Sequence, residues 1–409
     1  MPHDRMERLL TAELRRLESE GRRKGREAVI AGVVAAAGTR GPRFLIEGEG
    51  EKPFLRMNAN NYLGLSLRAE VVAAEHEGVR RLGTGPGAVR FISGTWAPHI
   101  ELERKLADFH GREAAMVFSS AYAAVMGVLP PLITADTAVI SDELNHNCII
   151  NAIRLARPRE RRVYRHLDLH ELEARLASVA GTCKRAIVVT DGVFSMRGDH
   201  APLREIEAIA RKHDMAFPEN VILVVDDSHG VGALGASGRG TEEIAGGGAD
   251  ILVATLGKAF GVNGGYVAAS AAAVDYFREV SPFYVYSNPI APGEAAAAAK
   301  AVSVVESAAG RELIAHLRAM AKRFRDGLAR LGYETLPGEH PIVPLLVRES
   351  ERTAALVRHL RRKGILATGL NFPVVPRGDE EIRFQVCADH TQADIDEVLA
   401  ALEEFCKQS

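Results

Sequence analysis

The sequence predicts an α/β fold, with a large domain on a mostly parallel seven-stranded sheet followed by a smaller C-terminal α+β domain. Between about residues 114 and 270, short apolar, β-rich runs recur with helical patterns between several of them. Strands alternating with helices imply a parallel sheet covered on both faces. After about Pro292 the rhythm changes to longer helical stretches separated by short strands. With 409 residues, 47% of them hydrophobic, the chain is long enough for two cores.

The elements follow in chain order. Residues 1–50 read as an N-terminal helical arm, because Leu9, Leu10, Leu14 and Leu17 recur at helical spacing among charges and need a surface to pack on. Residues 40–57 carry Gly and Pro and read as a connecting stretch with short strands. Residues 51–291 form the large domain. Its seven strands are expected at Ala114–Phe118, Thr137–Ser141, Arg162–His166, Arg185–Thr190, Val221–Asp227, Ile251–Leu256 and Gly264–Ala269, with helices at Leu169–Val179 and Leu203–His213 among them. Residues 292–409 form the small domain. A long helix is expected from Pro292 to Leu331, then a strand at Pro341–Val347 and a helix at Thr353–Lys363. Strands at Ile365–Thr368 and Glu381–Val386 and a last helix from Gln392 complete it.

Composition removes several function classes. The formal net charge is −2, so no basic face is implied and nucleic acid is not an expected partner. The four cysteines, Cys148, Cys183, Cys387 and Cys406, form no CxxC pair, which argues against a disulfide framework or a zinc ribbon and fits a reducing cytoplasm. No secretory signal is read at the N-terminus. No window of about 18 apolar residues exists, so no membrane span is expected.

Chemistry is concentrated where strands end, the place open α/β sheets reserve for ligands. Lys258 follows an apolar strand and sits among small residues, Thr255-Leu256-Gly257-Lys258-Ala259-Phe260-Gly261. It is either a surface loop lysine or a partly buried amine able to attack an aldehyde. A P-loop is ruled out, since Leu252 and Ala259 stand where that pattern needs Gly and Ser or Thr. In Val224-Val225-Asp226-Asp227-Ser228-His229-Gly230, a carboxylate ends a buried strand and needs a charged or donor partner. A protonated pyridine nitrogen at Asp226, with His229 near a phenolic oxygen of the same ring, is one solution. A metal held by Asp226, Asp227 and His229 is the other.

Three weaker signals accompany these. His146, in Asn145-His146-Asn147, is a stacking residue for a flat ring or a structural histidine. Ser119-Ser120-Ala121-Tyr122 follows a strand and opens a helix, which suits a phosphate or is ordinary capping, and Thr255, Ser287 and Asn288 are further donors. Arg383, inside an apolar strand, needs an anion, either a substrate carboxylate or a structural Glu or Asp. Two look-alikes are set aside. Gly83-Thr84-Gly85-Pro86-Gly87 has no apolar strand before it, and in His166-Leu167-Asp168-Leu169-His170 the aspartate reads as a helix cap rather than a metal ligand.

Eight stretches carry a family resemblance. They are Asn60–Gly64, Arg90–Thr95, Ser141–His146, Thr190–Met196, Asp226–Gly230, Thr255–Gly261, Tyr286–Asn288 and Pro373–Pro376. In this order and spacing, over roughly residues 45 to 400, they resemble the α-oxoamine synthase family of pyridoxal 5'-phosphate (PLP) enzymes. The resemblance implies the fold-type I PLP transferase architecture and a homodimer whose active site is shared between subunits. It implies that Lys258 binds the cofactor aldehyde, Asp226 pairs with the pyridine nitrogen and His146 stacks on the ring. His229 and Ser195 serve the ring oxygen, while Ala121, Tyr122 and Thr255 hold the phosphate. Ser287 and Asn288 reach the phosphate of the neighbouring subunit, and Asn60 and Arg383, with His146, serve the amino-acid substrate.

The implied reaction condenses a small amino acid with an acyl-CoA, glycine and acetyl-CoA being favoured. Alanine with pimeloyl-CoA, or a PLP lyase or aminotransferase reaction, is the alternative. The chain departs from the family pattern at Val125, at Pro289, at Trp96-Ala97-Pro98 and in the inserted stretch Ala216–Asn220.

Overall fold

The computed structural model describes residues 3–20, 22–23, 26–372 and 375–408. Pro373 and Val374, in the last of the eight stretches, lie outside the described residues. The chain divides into two compact units. One holds residues 60–319 and 338–341; the other holds residues 1–59, 320–337 and 342–409.

The first unit is built on the expected seven strands: β1 Ala114–Phe118, β2 Thr137–Asp142, β3 Glu160–Tyr164, β4 Arg185–Asp191, β5 Val221–Asp226, β6 Ile251–Thr255 and β7 Gly265–Ala269. Their order in the sheet is β1-β7-β6-β5-β4-β2-β3. Only β7 runs antiparallel to its neighbours; the other pairings are parallel. Side chains alternate between two apolar layers. Val139, Ile187, Val189, Val224 and Val253 enter one, while Ala138, Ile140, Val188, Val225 and Leu252 enter the other. The first layer is covered by helices α1, Ala121–Leu132, and α2, Asn147–Ala156.

The same alternation fixes where the strand-end polar groups go. Asp191, Asp226 and Thr255 continue the series of Val189, Val224 and Val253, so all three fall on the α1/α2 side of the sheet.

Beyond one-residue shifts at strand ends, two differences from the sequence-based expectation have local causes. The third strand ends at Tyr164, two residues before the expected His166, because that imidazole leaves the strand to face Asp142 and Asp199 at 3.1 and 3.2 Å. The expected single helix to Leu331 is two helices, Pro292–Glu306 and Ala308–Arg330. The backbone turns extended at Ser307, whose hydroxyl accepts from Gly310 N at 3.2 Å.

The second unit holds two four-stranded sheets. Ile30–Val34, Arg43–Ile46, Pro53–Arg56 and Ile365–Leu366 make one; Glu334–Thr335, Ile342–Leu346, Glu381–Gln385 and Thr368–Leu370 make the other. The N-terminal helix, Asp4–Ser19, buries none of its residues, and Leu9 is 72% exposed.

One close approach sets the site. A Cβ added at Gly265, the first residue of β7, would lie 2.1 Å from the Ala121 backbone nitrogen. Only glycine lets β7 pass the start of α1. Gly265→Ala is expected to lower unfolding free energy by about 1–3 kcal/mol through overpacking, read by urea denaturation; a variant as stable as the parent would contradict this packing.

Candidate active site

A cavity of about 260 Å³ opens at the strand ends of the first unit. It brings together seven of the residues singled out from the sequence: Ala121, Tyr122, His146, Asp226, His229, Thr255 and Lys258. Ser120, Cys148, Asp191, Val193 and Ser228 also line it. Asn60, Ser195, Ser287, Asn288 and Arg383 are not among its lining residues.

Asp226 closes β5 and is only 7% exposed. Its Oδ1 accepts from Ser228 N at 3.1 Å, and its Oδ2 faces the Cys148 thiol at 3.7 Å. The next residue goes elsewhere. Asp227 accepts from Thr241 N at 2.7 Å and from Thr241 Oγ1 at 2.6 Å, and burial pushes its carboxyl up to about 7. The metal reading needs Asp226, Asp227 and His229 to converge, and Asp227 is committed to Thr241. Among the described residues, no group of three His, Cys, Asp or Glu side chains is arranged to hold a metal ion.

Asp191 ends β4 directly beside Asp226 in the strand register. Its Oδ2 accepts from His146 N at 3.1 Å, and its Oδ1 is buried without a hydrogen-bond partner. Burial, then the neighbouring Asp226 charge, hold this carboxyl well above the usual carboxylate range. Asn145 locks the pair of strands behind it, donating to Ser141 Oγ and Val189 O and accepting from Asp191 N at 2.8 Å.

His146 caps α2. Its Nδ1 accepts from Cys148 N at 3.3 Å. Burial lowers its affinity for a proton; Asp226 opposes this and Lys258 adds to it. The ring meets Tyr122 edge-on at 6.4 Å. His229 lies with Nδ1 2.7 Å from the Tyr62 hydroxyl, which is 3.3 Å from Asn60 Oδ1. Asn60 is therefore tied to the site through Tyr62 and His229.

The start of α1 faces the cavity. Ser120 Oγ caps it by accepting from Ala123 N at 3.0 Å, and the first N–H groups of a helix, here those of Ala121 and Tyr122, have no acceptor within the helix. Lys258 sits in the short turn joining β6 to β7 and is partly buried. Thr255 Oγ1 donates to Gly264 O across the same turn at 3.2 Å.

The remaining sequence candidates are not among the lining residues. Ser195 follows Phe194 in the turn after β4. Ser287 and Asn288 follow Tyr286, which is 80% exposed. Arg383 belongs to the second unit, in strand Glu381–Gln385, opposite Pro344 and Thr368. Sequence reasoning missed Cys148, Asp191 and Ser228. Strand alternation could have found Asp191, since it lies two residues beyond Val189.

The cavity suits PLP. An amine and a carboxylate share one small space, helix N–H groups are positioned for a phosphate, and the buried Ser228 Oγ and Asp191 Oδ1 lack protein partners.

Comparison with known proteins agrees. Residues 52–402 match the family "Aminotransferase class I and II". The 8-amino-7-oxononanoate synthase of Geobacter sulfurreducens is 39% identical over 98% of this chain and 99% of its own. The 2-amino-3-ketobutyrate coenzyme A ligase of Escherichia coli K12 is 41% identical over 86% of this chain and 87% of its own. Among solved structures, Sphingomonas wittichii serine palmitoyltransferase matches at TM-score 0.88 and 27% identity, covering 99% of this chain and 98% of that one. A structure titled SPT with PLP matches at 0.87 and 28%, covering 98% and 97%.

One flanking cluster generates a test. His166 donates from both ring nitrogens to Asp142 and Asp199, which requires the doubly protonated ring. Burial alone would lower its pKa, but the two carboxylates outweigh that and raise it to about 9. The folded-state value lies above the ordinary 6.5, so the stabilisation is complete below pH 6.5 and disappears as pH rises through about 9. The difference in unfolding free energy between the parent and His166→Gln should shrink across that window; a difference constant from pH 6 to 10 would refute the charged state.

Proposed function

Because the chain belongs to the aminotransferase class I and II family, and within it to the α-oxoamine synthases, we propose that it condenses glycine with acetyl-CoA, giving 2-amino-3-oxobutyrate and CoA. The PLP requirement and the α-oxoamine synthase activity are family properties of this chain. The observation that carries the reading is the convergence of Lys258, Asp226 and His146 on one cavity of about 260 Å³. A space of that size, shared with a cofactor, favours an amino acid with little or no side chain. The E. coli relative, named for 2-amino-3-ketobutyrate, supports the same choice.

Each residue has a task. Lys258 supplies the amine that anchors the cofactor and, when free, takes the α-proton of the amino acid. Asp226, buried at the end of its strand, would keep the ring nitrogen protonated. When bound, PLP would supply an electron sink for the carbon that loses its proton. His146 would stack on the ring, and His229, held by Tyr62, would serve the ring-oxygen side. Ser195 is assigned to that same side. The Ala121 and Tyr122 N–H groups and Thr255 Oγ1 hold the phosphate. Asn60 and Arg383 keep the carboxylate-holding roles that the family resemblance gives them.

The enzyme works as a homodimer in this reading. Ser287 and Asn288 lie on an exposed turn and outside the lining of this subunit's own cavity, which supports a role toward a second subunit's phosphate. The exposed leucines of helix Asp4–Ser19 supply apolar surface for a partner.

A second reading has its own support. Several relatives, one aligned along 98% of this chain, are named 8-amino-7-oxononanoate synthase. Alanine and pimeloyl-CoA are then the substrates.

Release of free CoA thiol separates the two. Glycine with acetyl-CoA should give the faster release, and Lys258→Ala should reduce it by roughly 10²–10⁴-fold, the usual worth of a positioned acid or base. Faster release with alanine and pimeloyl-CoA would select the second reading, and no release with any acyl-CoA would reject both.

A further inference from the structure

Cys148 has no part in the roles assigned above, yet its sulfur touches two of the residues that have one. It stands in the first turn of α2, is 1% exposed, and lines the cavity between His146 and Asp226. Its Sγ lies 2.9 Å from His146 Nδ1 and 3.7 Å from Asp226 Oδ2. Its backbone N–H also points at His146 Nδ1, at 3.3 Å.

These contacts decide proton positions. A backbone N–H can only donate, so Nδ1 is the acceptor nitrogen and the neutral ring carries its proton on Nε2. The thiol has one proton and two acceptors within reach, Nδ1 and the Asp226 carboxylate. Burial, then the Asp226 and Asp191 charges, push the thiol's pKa upward, so the proton stays on sulfur and remains available to donate. The ring of His146 and the carboxylate of Asp226 thus meet at one sulfur atom, while Asp191 Oδ2 holds the His146 backbone from the other side.

We propose that Cys148 is a positioning residue whose thiol links His146 and Asp226, holding the imidazole ring and the carboxylate in their orientations toward the cofactor ring. The bridge itself is a property of the polypeptide; its effect on cofactor rests on the reading given above.

Two measurements test it. The first needs no cofactor. The infrared S–H stretch present in the parent and missing in Cys148→Ser belongs to this thiol. It should sit at the low frequency of a hydrogen-bonded thiol and move in both Asp226→Ala and His146→Phe. A band at the free-thiol position that ignores both substitutions overturns the bridge.

The second measurement titrates cofactor-free protein with PLP. Cys148→Ala should bind roughly threefold to tenfold more weakly, the worth of one hydrogen bond, with a displaced absorption maximum for the bound cofactor. Cys148→Ser, which keeps a donor, should fall between Ala and the parent. Loss of a buried, hydrogen-bonded side chain should itself lower the melting temperature of cofactor-free Cys148→Ala, and comparison with Cys148→Ser, which keeps a donor of similar size, separates the lost donor from the lost packing. Parent-like affinity and absorption in Cys148→Ala overturn the positioning role. If the parent protein itself takes up no cofactor, the functional reading falls, and the infrared band alone decides whether the bridge exists.

Discussion

A carboxylate buried at the end of an interior strand constrains everything around it. Asp226 cannot stay charged there without donors or a cation nearby. Ser228 N, the Cys148 thiol and the amine of Lys258 on the same cavity wall are the groups the fold supplies. The sheet adds a complication, because strand register places a second carboxyl, Asp191, beside the first. Two like charges so close in a poorly solvated place repel, and the outcome is division of labour. Asp191 is driven toward its neutral form while it holds the His146 backbone, and Asp226 faces the cavity. Asp227, one residue on, turns to Thr241 and is pressed against Gly192, Gly230 and Gly240. A Cβ at any of these would come within 2.2 Å of its carboxylate. Two adjacent aspartates therefore do unrelated work: one faces the cavity, the other ties loops together.

The strands were readable because each is a short apolar run with a clear break at each end. Their observed bounds differ from expectation by one residue in most cases. The exceptions have local causes. His166 is apolar enough in context to extend a strand on paper, yet two carboxylates from elsewhere in the chain draw it out. The break at Ser307 is a cap within an otherwise unbroken helical pattern, and its signal is a single hydroxyl and a glycine three residues later. In the site, Asp226 was legible because a carboxylate is costly at the end of a buried strand, whereas Lys258, His146 and His229 were ambiguous by type and stood out through the family motifs that contain them. Cys148 and Ser228 were not. A cysteine in an apolar helix reads as core, and only the fold reveals that its sulfur sits between an imidazole and a carboxylate. Arg383 illustrates the opposite limit: an arginine in an apolar strand announces that it has an anion or dipole to meet, and nothing local says which.

The reversed direction of β7 has a consequence for Lys258. Parallel neighbours are joined by long crossovers, whereas β6 and β7 are joined by a hairpin turn, and the lysine rides on it. That turn is laced shut: Leu256 N donates to Gly264 O, Val262 N to Leu256 O and Gly261 N to Lys258 O, each at 3.0 Å. The main chain under the lysine is pinned from both ends, so almost all of the amine's travel comes from rotation about its own methylene bonds. The group behaves as a tethered pendulum with a fixed pivot. In the role proposed for it, the amine swings away and returns to the same point.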